Sequence, residues 1–296
     1  MSNAGHSQAD NLAAAGLMMA SMAAFTLNDA FMKLMAGDVP LYQLLFLRGS
    51  MTCAVVAVIA WRMGVFRLSL STRDWQLITL RSFADTATAF FFLTALFNMP
   101  LANVTAILQA LPLTITLAAW VFLGDPVGWR RLLAIAVGFI GVMLIIRPGT
   151  SDFSVYSLYG VAAVCCVTFR DLTTRRLSSA VPSILVVLTT AGAVTLVFGI
   201  LSLKASWTPM SPRSWGLTSA AAVTIIGAYL FSIMVMRRGD ISFVAPFRYT
   251  GLIWALLLGF LFFGDWPSPL TLIGAAIVVG SGLFAFYREA RLGRRS

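Results

Sequence analysis

The chain has 296 residues, of which 59% are hydrophobic and 11% charged, and its formal net charge is +10 at pH 7. Soluble domains carry about a quarter charged residues, so a mean hydropathy of +0.88 excludes a water-soluble globule, which could not bury so much apolar surface. The excess of Lys and Arg does not point to nucleic acid either, because these residues stand in short bridges between apolar runs, where anionic lipid headgroups are the natural partner.

A helix needs about 20 apolar residues to cross a bilayer, and cutting the chain at its Gly, Pro and charge clusters predicts ten such spans. The first, 12–35, follows no basic region and is longer than the core of a cleavable signal, so it is retained as helix 1; it carries Asn28, Asp29 and Lys33. Helix 2 covers 41–61 and carries Arg48, and helix 3 covers 75–97 with Arg81, Asp85 and Phe90. Helix 4, at 101–123, contains Asn103, Gln109 and Pro112, and helix 5, at 129–146, contains Gly138 and Gly141. Helix 6 (156–178) carries Arg170, Asp171 and Arg175, helix 7 spans 183–203, and helix 8 (213–236) carries Tyr229. Helix 9 (242–263) contains Pro246, Arg248, Tyr249, Gly251 and Trp254, and helix 10 covers 269–287. No stretch alternates as a membrane barrel strand must, and lipid offers no partner to an open backbone group, so the fold is expected to be all-α.

An even number of spans places both termini on one side, together with thirteen arginines: 62, 67, 73, 130, 131, 175, 176, 237, 238, 288, 291, 294 and 295. The opposite side holds four basic residues, Lys33, Arg147, Lys204 and Arg213. The positive-inside bias predicts cytoplasmic termini.

The chain also repeats itself. A shift of 142 positions lays Thr26, Asp29, Lys33, Val39 and Pro40 on Thr168, Asp171, Arg175, Val181 and Pro182. A shift of 140 lays Ser71, Arg73, Trp75 and Leu77 on Ser211, Arg213, Trp215 and Leu217, and Gly124 and Asp125 on Gly264 and Asp265. The expected organisation is a cytoplasmic tail (1–11), a first five-helix repeat (12–148), a second (153–288) and a basic cytoplasmic tail (289–296). Five spans is an odd number, so the second copy enters the membrane from the opposite face. Two inverted repeats of this kind place a transporter's substrate site between them and permit mirror-related open states; duplication that merely thickens a bundle is the plainer alternative.

The paired Gly124-Asp125 and Gly264-Asp265 turns, each closing the fourth helix of its repeat, and the glycine-rich last helices (Gly138 and Gly141; Gly274, Gly280 and Gly282) carry a family resemblance. Over residues 12–288 the chain resembles the drug/metabolite transporter superfamily, in particular its ten-helix EamA-type exporters. Within that family its composition is similar to the YddG-like exporters of aromatic and other amino acids and amphiphilic compounds. The family more often has Gly-Glu in these turns. The resemblance implies a secondary transporter of the bacterial inner membrane, not an enzyme, without cofactor, acting as a monomer and moving amino acids and related amphiphiles outward by alternating access. A channel-like facilitator or a membrane-embedded enzyme would be the competing classes. Related four-helix multidrug exporters couple to protons through a glutamate in their first helix, whereas here the sole glutamate is Glu289 in the tail.

A charge inside a bilayer is costly and therefore informative. Asp29 and Lys33, Arg81 and Asp85, and Asp171 and Arg175 are each four residues apart, on one helix face, and are expected to be charge pairs, either as neutralisation near helix ends or as symmetric gates. Arg48, Arg170 and Arg248 have no acid at that spacing, and a guanidinium fork suits a carboxylate. Arg248 is the preferred substrate contact, with snorkelling to the interface as its alternative. Phe90, Tyr229, Tyr249 and Trp254 are expected either to line a pocket for flat solutes or to pack, and Asn28 and Gln109 to contact substrate or bridge helices. Pro112, and Pro246 with Gly251, lie in equivalent helices and are the expected hinges, or else static kinks. The only histidine, His6, precedes helix 1, and Cys53, Cys165 and Cys166 lack metal-ligand spacing, so neither a metal nor a disulfide is expected.

Overall fold

A computed structural model describes residues 8–65, 70–124, 127–150, 153–178, 180–238 and 241–293, and among them every regular element is helical. The first half comprises α1 (Gln8–Lys33), α2 (Leu41–Arg62), α3 (Thr72–Asn98), α4 (Leu101–Leu108), α5 (Leu111–Leu123) and α6 (Trp129–Ile146). The second comprises α7 (Tyr156–Arg175), α8 (Ser183–Ser202), α9 (Pro212–Arg238), α10 (Ile241–Val244), a 3-10 segment (Ala245–Tyr249), α11 (Thr250–Phe263) and α12 (Pro269–Gly293). Nine helical stretches among the described residues are long and apolar enough to cross a membrane. The tenth is α7, whose 20 residues reach about 30 Å but whose hydropathy is lowered by Arg170, Asp171 and Arg175.

Local chemistry explains the helix ends. Pro40, Pro100 and Pro182 precede α2, α4 and α8 in extended conformation, where a residue without an N–H costs no helical bond. Ser71 caps α3 by accepting from the Asp74 N–H, and Ser211, 140 residues on, accepts from the Ser214 N–H before α9, both at 3.1 Å. α5 and α11 end on Gly124 and Gly264, with φ of 74° and 67°, the left-handed region that glycine enters without Cβ strain. Asp125 lies outside the described residues.

The expected continuous spans 101–123 and 242–263 are each divided. In the first, Pro112 has no N–H to offer the Leu108 carbonyl, and the chain leaves the helix at Gln109 and Ala110; the Gln109 N–H is shared between the Thr105 and Ala106 carbonyls at 3.1 and 3.2 Å. In the second, Pro246 lies in the 3-10 segment between α10 and α11. The two breaks stand in equivalent helices and lean toward one another: a methyl group on Gly251 would lie 3.9 Å from Gln109 Nε2 and 3.7 Å from Met22 Sδ.

Packing follows the repeat. α1 lies along α9 and α3 along α7, one pairing turning into the other when the halves are exchanged, while α2 packs on α8 and α6 on α12, each on its own equivalent. The equivalent helices run antiparallel. Gly138 faces Ser281 while Gly141 faces Val278 and Gly274, so numbers rise along α6 as they fall along α12; likewise Phe46 meets Gly199 and Gly49 meets Thr195. The two five-helix repeats are therefore inverted, as an odd number of spans requires. Large apolar side chains such as Phe83, Phe122, Ile140, Val223, Ile253 and Leu261 are exposed around the outside, a surface that water would not tolerate and lipid does.

Candidate functional site

The interior polar residues collect where α1, α2 and α3 of the first half meet α7, α8 and α9 of the second. Asp85 on α3 is the hub. Its carboxylate is 3.4 Å from Arg81 Nη1, on its own helix, and 2.8 Å from Arg170 Nη1 of α7. Arg170 also donates through Nε to Asp171, at 2.9 Å, so one guanidinium spans two carboxylates and ties the halves together. Arg81 crosses as well, donating to Thr174 on α7 and Thr190 on α8 at 2.9 and 2.6 Å. Beyond it, Asp74 accepts from the Ser178 N–H and hydroxyl at 3.1 and 3.0 Å. Each charge buried here has its partner, as the low dielectric demands.

A second group lies between α1, α2 and α9. Arg48 Nη1 donates to Asn28 Oδ1 at 3.1 Å, and Asn28 Nδ2 donates to Asp29 Oδ1 at 2.9 Å. Tyr229 packs edge-on against Phe25, with ring centroids 5.5 Å apart.

Three charge expectations change. Lys33 does not reach Asp29: its ammonium donates to the Leu96 and Met99 carbonyls at 2.9 and 2.6 Å and lies over the Phe263 ring, because the C-terminal carbonyls of α3 lack helical donors and attract a cation. Asp171 takes the adjacent Arg170 as its ion-pair partner rather than Arg175. Arg170, which has no acid four residues away and was a candidate for a substrate carboxylate, carries two carboxylates of the protein itself. The cross-helix partners Thr174, Thr190 and Ser178 were not foreseen, yet the 142-residue shift lays Asn28 on Arg170 and Arg48 on Thr190, so the repeat aligns the positions of the two clusters.

Among the aromatic candidates, Phe90 is half-buried and belongs to a ring group with Tyr42, Phe91 and Tyr159, at centroid distances of 6.4, 5.4 and 6.4 Å. Trp254 is half-buried on α11, and Gln109 is buried at the break before α5. Arg248 is half-buried in the 3-10 segment, with no hydrogen bond or ion pair among the described residues. Tyr249 is 6% exposed and its hydroxyl is buried without a hydrogen-bond partner among the described residues; it sits where a Cβ on Gly282 would have to be, with its Cζ 2.7 Å from that point. Removing such an orphan hydroxyl relieves a desolvation cost of about 1–3 kcal/mol, so Tyr249→Phe should melt at or above the wild-type temperature. A clear fall in melting temperature would show that the hydroxyl has a bound partner.

A groove of about 740 Å³ runs between α3, α5, α6 and α7, lined by exposed apolar residues such as Val121, Phe122, Met143 and Phe169. Its polar lining is Thr114 and Thr168, hydrogen-bonded at 2.7 Å, with Thr173 and Arg176, and it contains none of the central acidic groups. Among the described residues no three His, Cys, Asp or Glu side chains are grouped to hold a metal ion.

The two halves agree with the comparison to known proteins. The EamA-like transporter family model matches this chain twice, over residues 12–147 and 155–287. The chain belongs to the EamA-like transporter family. Its relatives include the pseudopaline exporter CntI of Pseudomonas aeruginosa, 23% identical over 272 residues that make up 91% of this chain and 95% of that protein. The riboflavin transporter of Vibrio cholerae is 31% identical over 247 residues, 82% of each chain. The S-adenosylmethionine uptake transporter of Rickettsia felis is 26% identical over 194 residues, 65% of each. One solved crystal structure superposes with a TM-score of 0.64 at 19% identity, over 95% of this chain and 99% of that one, which shows the shared fold. This EamA-family chain is thus a multi-pass membrane protein whose family and relatives are named as transporters of small molecules and not as enzymes.

Proposed function

We propose that this EamA-family protein is a secondary transporter that exports amino acids and related small amphiphilic metabolites across the bacterial inner membrane by alternating access. The observation that carries the reading is the pair of antiparallel halves that meet on one buried polar centre, joined by Asp85, Arg170 and Arg81 across α3, α7 and α8. Such a centre is reached from either side when one half rocks against the other. The export direction is supported by the Pseudomonas relative, which is named an exporter, and the cytoplasmic placement of both termini by the thirteen arginines on their side against four basic residues opposite.

In this reading the cross-half contacts of Asp74, Arg81, Asp85 and Arg170, with Asp171 held beside Arg170, form the gate on the side of the termini. Lys33, fixed to the end of α3, steadies the other side. Pro112, Pro246 and Gly251 are the hinges, because the freed backbone at Gln109–Ala110 and Ala245–Tyr249 lets half-helices swing. Replacing Pro112 with Ala should let α4 and α5 join and lower turnover by about tenfold, an expectation for residues that gate a conformational step, while expression is retained. Full transport by that variant would count against the hinge.

The experiment for the function itself is counterflow in proteoliposomes with labelled amino acids. Saturable exchange, accelerated by unlabelled amino acid on the opposite side, is the expected result. A flux that rises linearly with concentration would indicate a channel, and no flux of any amino acid would remove this substrate class.

A further inference from the structure

Three of the interior groups of charge lie on α1, α2, α3 and α7, and two of these are closed. Arg81, Asp85, Arg170 and Asp171 form a continuous chain of ion pairs, and Lys33 is spent on two carbonyl oxygens. The third group is open. Arg48 and Asp29, an acid and a base, stand on either side of Asn28, yet no ion pair joins them. Asn28, 2% exposed, stands between, accepting from Arg48 with its carbonyl oxygen and donating to Asp29 with its amide nitrogen.

Opposite charges in a low-dielectric interior attract strongly and normally close into contact. Here a buried neutral amide keeps them apart. Among the described residues, the Nε and Nη2 of Arg48 and the second carboxylate oxygen of Asp29 have no hydrogen-bond partner, and both side chains are half-buried rather than sealed. Groups left open in this way are free to meet a ligand that brings an anion to one end and a cation to the other. The amide accepts from Arg48 at its oxygen and donates to Asp29 at its nitrogen, the two roles that the carboxylate and the ammonium of an α-amino acid also play. Its carboxylate suits the guanidinium fork and its ammonium the aspartate. A simple carboxylate or phosphate would leave Asp29 unanswered, and a simple amine would leave Arg48 so.

We infer that Arg48 and Asp29, spaced by Asn28, receive the α-amino-acid end of the substrate, the carboxylate on Arg48 and the ammonium on Asp29. This rests on the amino-acid reading above and moves the carboxylate contact from Arg248 on the broken helix 9 to Arg48 on α2.

The test is competition against labelled phenylalanine in proteoliposomes by three probes: phenylalanine, 3-phenylpropionate, which lacks the ammonium, and phenylethylamine, which lacks the carboxylate. The wild-type protein should prefer phenylalanine over each analogue by roughly tenfold to a hundredfold, the range for losing one charge-assisted contact. Asp29→Asn should abolish the preference over 3-phenylpropionate and keep that over phenylethylamine; Arg48→Gln should do the reverse. A purely structural role would weaken all three probes together, and that pattern would overturn the assignment. So would a wild-type protein on which 3-phenylpropionate competes as well as phenylalanine, a measurement that needs no variant to fold. The assignment also fails if Arg248→Gln, rather than Arg48→Gln, removes discrimination against the amine. If the wild type carries no amino acid at all, the transport reading itself falls; if it does and the Asp29 and Arg48 variants discriminate as the wild type does, only this assignment falls.

Discussion

Asp85→Ala should lower the unfolding free energy by about 3–5 kcal/mol, the usual cost of stranding a buried charge. The side chain of Asp85 is 8% exposed, and its partners Arg81 and Arg170 are 12% and 20% exposed, so solvent cannot replace the lost carboxylate. Arg170 would keep Asp171, but Arg81 would be left with two threonine hydroxyls. Asp171→Ala should cost less, because Asp171 is 25% exposed and its loss leaves the Asp85–Arg170 bond in place. Melting of the detergent-solubilised proteins, followed by tryptophan fluorescence, ranks the three. Equal melting temperatures for wild type and Asp85→Ala would mean that the ion-pair chain does not hold α3 to α7. Since those helices belong to opposite halves, the same variant should also shift the balance between the two open states.

The second large effect is expected at the crossing of α6 and α12. A Cβ on Gly141 would lie 2.7 Å from the Gly274 carbonyl oxygen, and one on Gly274 would lie 2.6 Å from the Gly141 carbonyl oxygen. Both obstacles are backbone, which cannot rotate aside as a side chain can. Gly141→Ala and Gly274→Ala should each destabilise by about 1–3 kcal/mol through overpacking. Since each addition forces the same two backbones apart, the double variant should cost less than the sum. Gly280→Ala is the control: it lies on the same helix with nothing within 4 Å of its added Cβ, and it should melt like the wild type. If Gly141→Ala melts with that control, the helices are not in backbone contact and the inverted halves meet elsewhere.

Much of the architecture could be read along the chain. Bilayer thickness sets the length of each span, and the repeat of Asp29 at Asp171 and of Gly124 at Gly264 marks the duplication. Glycine and serine mark helix ends through backbone chemistry that needs no tertiary partner. The division of helices 4 and 9 was visible only as prolines, since whether a proline bends a membrane helix or breaks it depends on what satisfies the freed backbone groups.

Charge partners were far less legible. Spacing by four finds neighbours on the same helix, and at Arg81 and Asp85 it finds a real contact, 3.4 Å long. At Lys33 it names Asp29, while the ammonium goes to carbonyls 63 and 66 residues away.

The sequence by itself determined how many times the chain crosses the membrane and that its second half must be inverted, because hydropathy and an odd span count are properties of the chain alone. Only the tertiary structure decided that Arg170 is occupied and that Arg48 faces Asp29 across an amide. The rotation and crossing of helices bring those groups together, and both are set by the packing of side chains from distant spans.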